Sequence, residues 1–128
     1  MSVVSPIYGG LLALLTIYLS VRVSLARREH KISVGDGDNP ALIKAIRTHA
    51  NSIEYIPLGI ILLILLELQN GEPWLVHLSG LALLFGRVLH AYGLGRQPQF
   101  IPGRVYGAYL TLFAITGAAL ANIYYAVG

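Results

Sequence analysis

The sequence predicts an all-α protein, an integral membrane bundle of four helices that each cross the bilayer. Three observations predict it. Hydrophobic residues make up 55% of the 128 and charged residues only 12%. The apolar residues fall into four runs, each near the roughly 20 residues that a spanning helix needs. The basic side chains gather between those runs rather than along them. A soluble domain of this length needs a charged surface, and nine Lys/Arg with six Asp/Glu cannot cover one. The length suits a single domain, residues 1–128. A net charge of +3 and a pI near 9.4 would suit a nucleic-acid partner, but cations confined to loops read as membrane topology, and no nucleic acid is expected. The chain has no cysteine, so any thiol chemistry must use a thiol brought by a substrate.

The first span is expected from Pro6 to about Ala26, with Arg22 near its end. Val23-Ser24-Leu25-Ala26 resembles a cleavage region, but no positive charge precedes the apolar run, as a signal peptide requires. The second begins at Asn39-Pro40, an N-cap residue followed by a proline at the first helical position, and continues to about Gln69. Its first half is polar and its second half, Ile56 to Leu66, is apolar, with a mild kink expected at Pro57. Asn70-Gly71-Glu72-Pro73 is a turn. The third span covers Trp74 to about Leu94, and residues 95–103 form a loop containing Pro98 and Pro102. The fourth covers 104–127, and from Val105 onward it has no charged residue. Its small residues Gly103, Gly107, Thr111, Ala114, Gly117, Ala118 and Ala121 recur at three- and four-residue spacing, which suits close approach to another helix. Gly35-Asp36-Gly37-Asp38 lacks the further ligands of a calcium loop and reads as an Asx-rich turn.

The loops orient the chain. Arg27, Arg28 and Lys31 follow the first span, and Arg96 and Arg104 lie between the third and fourth, whereas the second loop carries Glu67 and Glu72. Positive-inside then places the first and third loops in the cytoplasm and both termini outside. With short loops and no organellar targeting segment, a bacterial inner membrane is the expected location.

The chemistry concentrates in Arg47-Thr48-His49-Ala50-Asn51-Ser52-Ile53-Glu54-Tyr55. Arg47, Asn51 and Glu54 are spaced four and then three apart and share a helical face. If the apolar run after Glu54 ends at the outer boundary, Glu54 lies roughly 20 Å below it, at 1.5 Å per residue. About 10 Å of the hydrocarbon would then separate it from the cytoplasmic side. An ionised carboxylate there must face the bundle or a wet cavity. An ion pair with Arg47 or Arg87 that only holds helices together is one reading of it. Arg87 and His90, three apart, bring further polar groups to the same level, with Arg27, Arg28 and Arg104 at the same membrane face. Glu54 can neutralise only one of these arginines, so an anionic ligand is the simplest completion. Topology signalling and headgroup contact is the competing reading of Arg27 and Arg28. The histidines His30, His49, His77 and His90 have no metal-ligand spacing, so no metal is expected.

Arg47-x-x-x-Asn51-x-x-Glu54-Tyr55-x-Pro57-Leu58 closely resembles the second-helix signature of the MAPEG family, the membrane-associated proteins of eicosanoid and glutathione metabolism. Gly86-Arg87-Val88-Leu89-His90-Ala91-Tyr92-Gly93-Leu94 is similar to the third-helix segment of bacterial members, and Arg27-Arg28, the length and the four-helix plan also fit. The resemblance implies a homotrimer with glutathione bound between neighbouring subunits near the cytoplasmic face. It implies that Arg47, Asn51, Glu54 and Tyr55 contact glutathione and that Arg27, Arg87 and His90 line the same pocket. It further implies an arginine at the start of the fourth helix that stabilises the thiolate; Arg104 is the best match and Arg96 its competitor. His90 stands where the well-studied enzymes carry a tyrosine, which leaves the second substrate open. The implied activity is that of a glutathione-dependent transferase or peroxidase acting on a lipophilic electrophile or lipid hydroperoxide from the bilayer. Two alternatives remain: a non-enzymatic member that binds a lipid or partner protein, and a small four-helix transporter. Such exporters usually place their membrane glutamate in the first helix, without an arginine cluster.

Overall fold

A computed structural model describes residues 3–128. Among them are four α-helices, α1 (Ser5–His30), α2 (Pro40–Leu68), α3 (Pro73–Gly95) and α4 (Ile101–Val127). At 1.5 Å per residue they are about 35–43 Å long, more than the roughly 30 Å of hydrocarbon in a bilayer. All four are apolar enough to cross one. The surface is inverted relative to a soluble protein: Leu14, Ile17, Phe85, Phe113 and Tyr124 point outward, each more than three-fifths exposed.

The helix ends follow local chemistry. Asn39 caps α2, its Oδ1 accepting from the Leu42 N–H at 3.0 Å, and Pro40 opens the helix as expected. Pro57 sits inside an unbroken α2. The helix α1 runs four residues past Ala26, because Lys31 adopts a left-handed conformation (φ 58°) and the Arg27 carbonyl accepts the N–H groups of Lys31 and Ile32. The helix α4 starts three residues earlier than 104, because Pro102 occupies its first turn, where a proline lacks nothing, rather than the preceding loop. At Gly35-Asp36-Gly37-Asp38 the Asp36 Oδ1 accepts the Asp38 N–H at 2.9 Å, an Asx turn.

The closest packing joins α3 to α4. A Cβ at Gly107 would collide with the His90 backbone nitrogen, and one at Gly93 with that of Arg104. The α4 face that allows this approach is Gly103, Gly107, Thr111, Ala114, Ala118 and Asn122, all buried. Gly117, expected in that stripe, instead faces open space, since the seam steps from Thr111 to Ala114 to Ala118 and leaves Gly117 on the far side. Two apolar clusters fill the interior: Leu12, Ile56, Leu83 and Ala114 in one, and Val4, Tyr8, Leu63, Leu66 and Val76 in the other, toward the chain termini.

The terminal end is tied by polar contacts. Glu67 is buried and accepts the N–H groups of Val4 (3.0 Å to each oxygen) and Ser5 (2.6 Å), placing a carboxylate at the positive end of α1. Tyr8 Oη lies 2.7 Å from His77 Nδ1, and Gln69 donates to Asn122 Oδ1 at 2.8 Å. These contacts hold that end together and leave the opposite end, with the basic loops, to carry the open polar groups.

Candidate functional site

Arg87 anchors the basic end of the bundle. It is 1% exposed, and its guanidinium reaches from α3 to two other helices. Nε donates to Thr111 Oγ1 on α4 at 2.9 Å, and Nη1 donates to Asn51 Oδ1 on α2 at 2.7 Å. The Tyr55 ring lies under the guanidinium, 5.0 Å from its centroid. Thr111 in turn donates to the Gly107 carbonyl at 2.8 Å. Among the described residues Arg87 has no carboxylate within ion-pair distance; Arg47 and Glu54 form the ion pair there, at 3.8 Å with both side chains about half exposed. A pair so open contributes about 0–1 kcal/mol to stability. The sequence left the Arg87–Glu54 pair as an option, and Asn51, Thr111 and Tyr55 take that place.

Beside this anchor lies a groove of about 270 Å³, lined by Ile43, Lys44, Arg47, Asn51, His90, Leu94, Gln99 and Arg104. It brings together four of the residues expected at the site: Arg47 and Asn51 from α2, His90 from α3 and Arg104 from the first turn of α4. Arg104 is exposed and donates to Gln99 Oε1 at 3.1 Å. Lys44 Nζ donates to the Arg96 carbonyl at 2.9 Å and closes the groove against the α3–α4 loop. No carboxylate is among the described lining residues, so the groove wall is cationic and rich in donors.

The other expected residues stand elsewhere. Glu54 and Tyr55 lie one turn beyond Asn51, beside Arg47 and Arg87. Arg27 donates to the carbonyls of Gly35 (2.7 Å) and Ile32 (3.3 Å), securing the α1–α2 loop, and does not line the groove of its own chain. Arg96 donates to Tyr92 Oη at 2.6 Å and stacks on that ring, whereas Arg104 faces the groove. Lys44, Gln99 and Thr111 are additions. Lys44 was legible, since 44, 47, 51 and 54 continue one helical face; Gln99 lies in a loop, where spacing carries no such information.

A larger apolar cleft of about 600 Å³ lies between α1 and α2 at the terminal end, where its polar lining residue Glu67 is already bonded to Val4 and Ser5. The cationic groove and this apolar cleft are therefore at opposite ends of the bundle.

The MAPEG family matches this chain over residues 5–124, nearly its whole length. Over 122 residues the chain is 38% identical to the inner membrane protein YecN of Escherichia coli strain K12, covering 95% of this chain and 92% of that one. The same figures hold for the inner membrane protein YecN of Escherichia coli O6:H1. The four apolar helices, the second-helix run from Arg47 to Leu58 and these matches agree, and the chain belongs to the MAPEG family.

Proposed function

We propose that the protein is an inner-membrane, glutathione-dependent transferase or peroxidase whose groove holds the tripeptide thiolate. The observation that carries this reading is the wall formed by Arg47, Asn51, His90 and Arg104, cationic and donor-rich with no carboxylate among the described lining residues to satisfy it. Glutathione brings two carboxylates and a thiol to such a wall, and Glu54, only loosely held by Arg47, is the natural partner of its ammonium group. A guanidinium near the sulfur favours the thiolate, and Arg104 at the groove rim is the residue assigned that role.

As a transferase, the thiolate sulfur forms a bond to an electrophilic carbon, and the leaving group departs with the bonding pair. As a peroxidase, the sulfur attacks the outer oxygen of a hydroperoxide, the O–O bond breaks and the alkoxide leaves as an alcohol after protonation. A second glutathione thiolate then attacks the sulfur of the resulting sulfenic acid, the S–O bond breaks, and the departing hydroxide takes up a proton, giving the disulfide and water. The lipophilic partner enters from the bilayer.

A groove of about 270 Å³ is just below the 300–1,000 Å³ of most ligand pockets, which supports completion by a neighbouring subunit of a homotrimer. Positive-inside orientation puts the groove on the cytoplasmic side, where the tripeptide is available. The test is equilibrium binding of glutathione to the purified protein and to Arg47→Ala, with thiolate absorbance measured in parallel. Saturable binding lost in the variant supports the reading, and no binding by the wild type ends it.

One observation favours a second reading, a family member that binds without turnover. Arg104 is exposed, and its Nη1 is already engaged by Gln99. Binding with no thiolate signal would select that reading.

A further inference from the structure

His90 is 95% buried, since only 5% of it is exposed, and its Nδ1 is enclosed with no hydrogen-bond partner. The ring nonetheless lines the groove, so the edge bearing Nε2 is what it offers to a ligand. The placement of the ring is tight, because α4 crosses at Gly107 against the His90 backbone.

An imidazole carries its first proton on either nitrogen, and the surroundings choose. A proton on Nδ1 would bury a donor with nothing to accept it. Buried orphan donors are rarer than buried acceptors left short of a partner. The charges that face the ring lie on its groove side. Arg87 lies one turn earlier on α3, Lys44 and Arg47 come from α2, and Arg104 comes from α4. Asn51 and Gln99 are the neutral polar residues of the groove, and no carboxylate lines it among the described residues. Those cations lie on the Nε2 side, so the enclosure of Nδ1, with nothing there to accept a proton, is what places the proton on Nε2.

We infer that His90 is held with its proton on Nε2 and enters the groove as a hydrogen-bond donor, not as the base that removes the thiol proton. The same logic fixes Asn51: Arg87 occupies Oδ1, so the amide Nδ2 is the group left for the ligand. The wall is then composed of donors from three helices, and it selects a group that only accepts, such as a thiolate, sulfonate or carboxylate. The thiol proton departs to water at the groove mouth. This inference rests on the glutathione reading for the ligand, but the tautomer itself does not.

Nitrogen-15 NMR of the full-length protein, labelled at histidine and reconstituted in lipid, reads the tautomer directly. His90→Gln identifies the His90 signals by their loss, and addition of glutathione sulfonate identifies them independently if that variant does not fold. The expected result is an unprotonated Nδ1 and a protonated Nε2, with the sulfonate shifting the Nε2–H signal. A proton on Nδ1, or on both nitrogens at neutral pH, overturns the inference even if glutathione sulfonate binds. The expected tautomer with no sulfonate binding upholds the tautomer and removes the glutathione reading instead. In turnover, His90→Phe should lose on the order of 10²-fold, as for deletion of a donor to a reacting anion, with the rising limb of its pH profile unmoved. His90→Gln, which keeps a donor, should retain more activity; a shifted or abolished limb in either variant would show a base.

Discussion

The Asn51 carboxamide oxygen lies 2.7 Å from Arg87 Nη1, and this bond joins α2 to α3 inside the bundle. It supplies a buried guanidinium with a neutral partner instead of a carboxylate, so the positive charge stays available to the groove beside it. Asn51→Leu should therefore do two things. It should destabilise the protein by about 2–4 kcal/mol, because removing one partner leaves a charged group buried without its acceptor. It should also weaken glutathione binding at least tenfold. Thermal unfolding in detergent and a binding isotherm measure the two effects separately.

Arg47 should behave differently. Its contact with Glu54 is half exposed, so Arg47→Ala should cost less than about 1 kcal/mol of stability. Its glutathione affinity should still fall by tenfold or more, as expected for loss of a guanidinium–carboxylate contact. A large stability loss with unchanged binding would assign Arg47 a structural role instead.

The α3–α4 seam makes a prediction about paired glycines. Gly107→Ala places a methyl group against the His90 backbone nitrogen and should destabilise the bundle by about 1–3 kcal/mol. Gly117→Ala, ten residues later on the same helix but facing open space, should be neutral or stabilising by up to about 1 kcal/mol. Melting temperatures of the two variants measured side by side test the assignment of the buried face.

Glu67→Gln should lower stability by about 1–2 kcal/mol, since it removes the carboxylate that receives the first N–H groups of α1. Because that contact is at the end away from the groove, glutathione affinity should be unchanged. A tenfold loss of binding in Glu67→Gln would contradict the separation of the two ends.

Much of this organisation was legible in the chain itself. The four apolar runs and the Asn39-Pro40 start are local signals, and they lie where the helices lie. The common face of Arg47 and Asn51 follows from a four-residue spacing. What spacing could not supply was the pairing between helices. Arg87 with Thr111 and Asn51 depends on how α3 and α4 are rotated, and glycines at 86, 93, 103 and 107 set that rotation jointly. Gly117 looked like part of the same stripe because a run of small residues does not state which of two adjacent faces is buried. Glu67 read as a loop charge, but its partners are N–H groups more than 60 residues away in sequence. Arg27 read as a pocket cation, although in its own chain it is committed to two loop carbonyls.

In the proposed function, Arg104 and the donor wall of the groove hold glutathione as its thiolate. Ultraviolet difference absorbance of the purified protein, titrated with glutathione at neutral pH beside Arg104→Ala, tests it most directly. The expected result is a saturable thiolate band in the wild type and, in Arg104→Ala, bound glutathione with that band lost. A wild type that binds no glutathione, or a variant with an undiminished band, would contradict it.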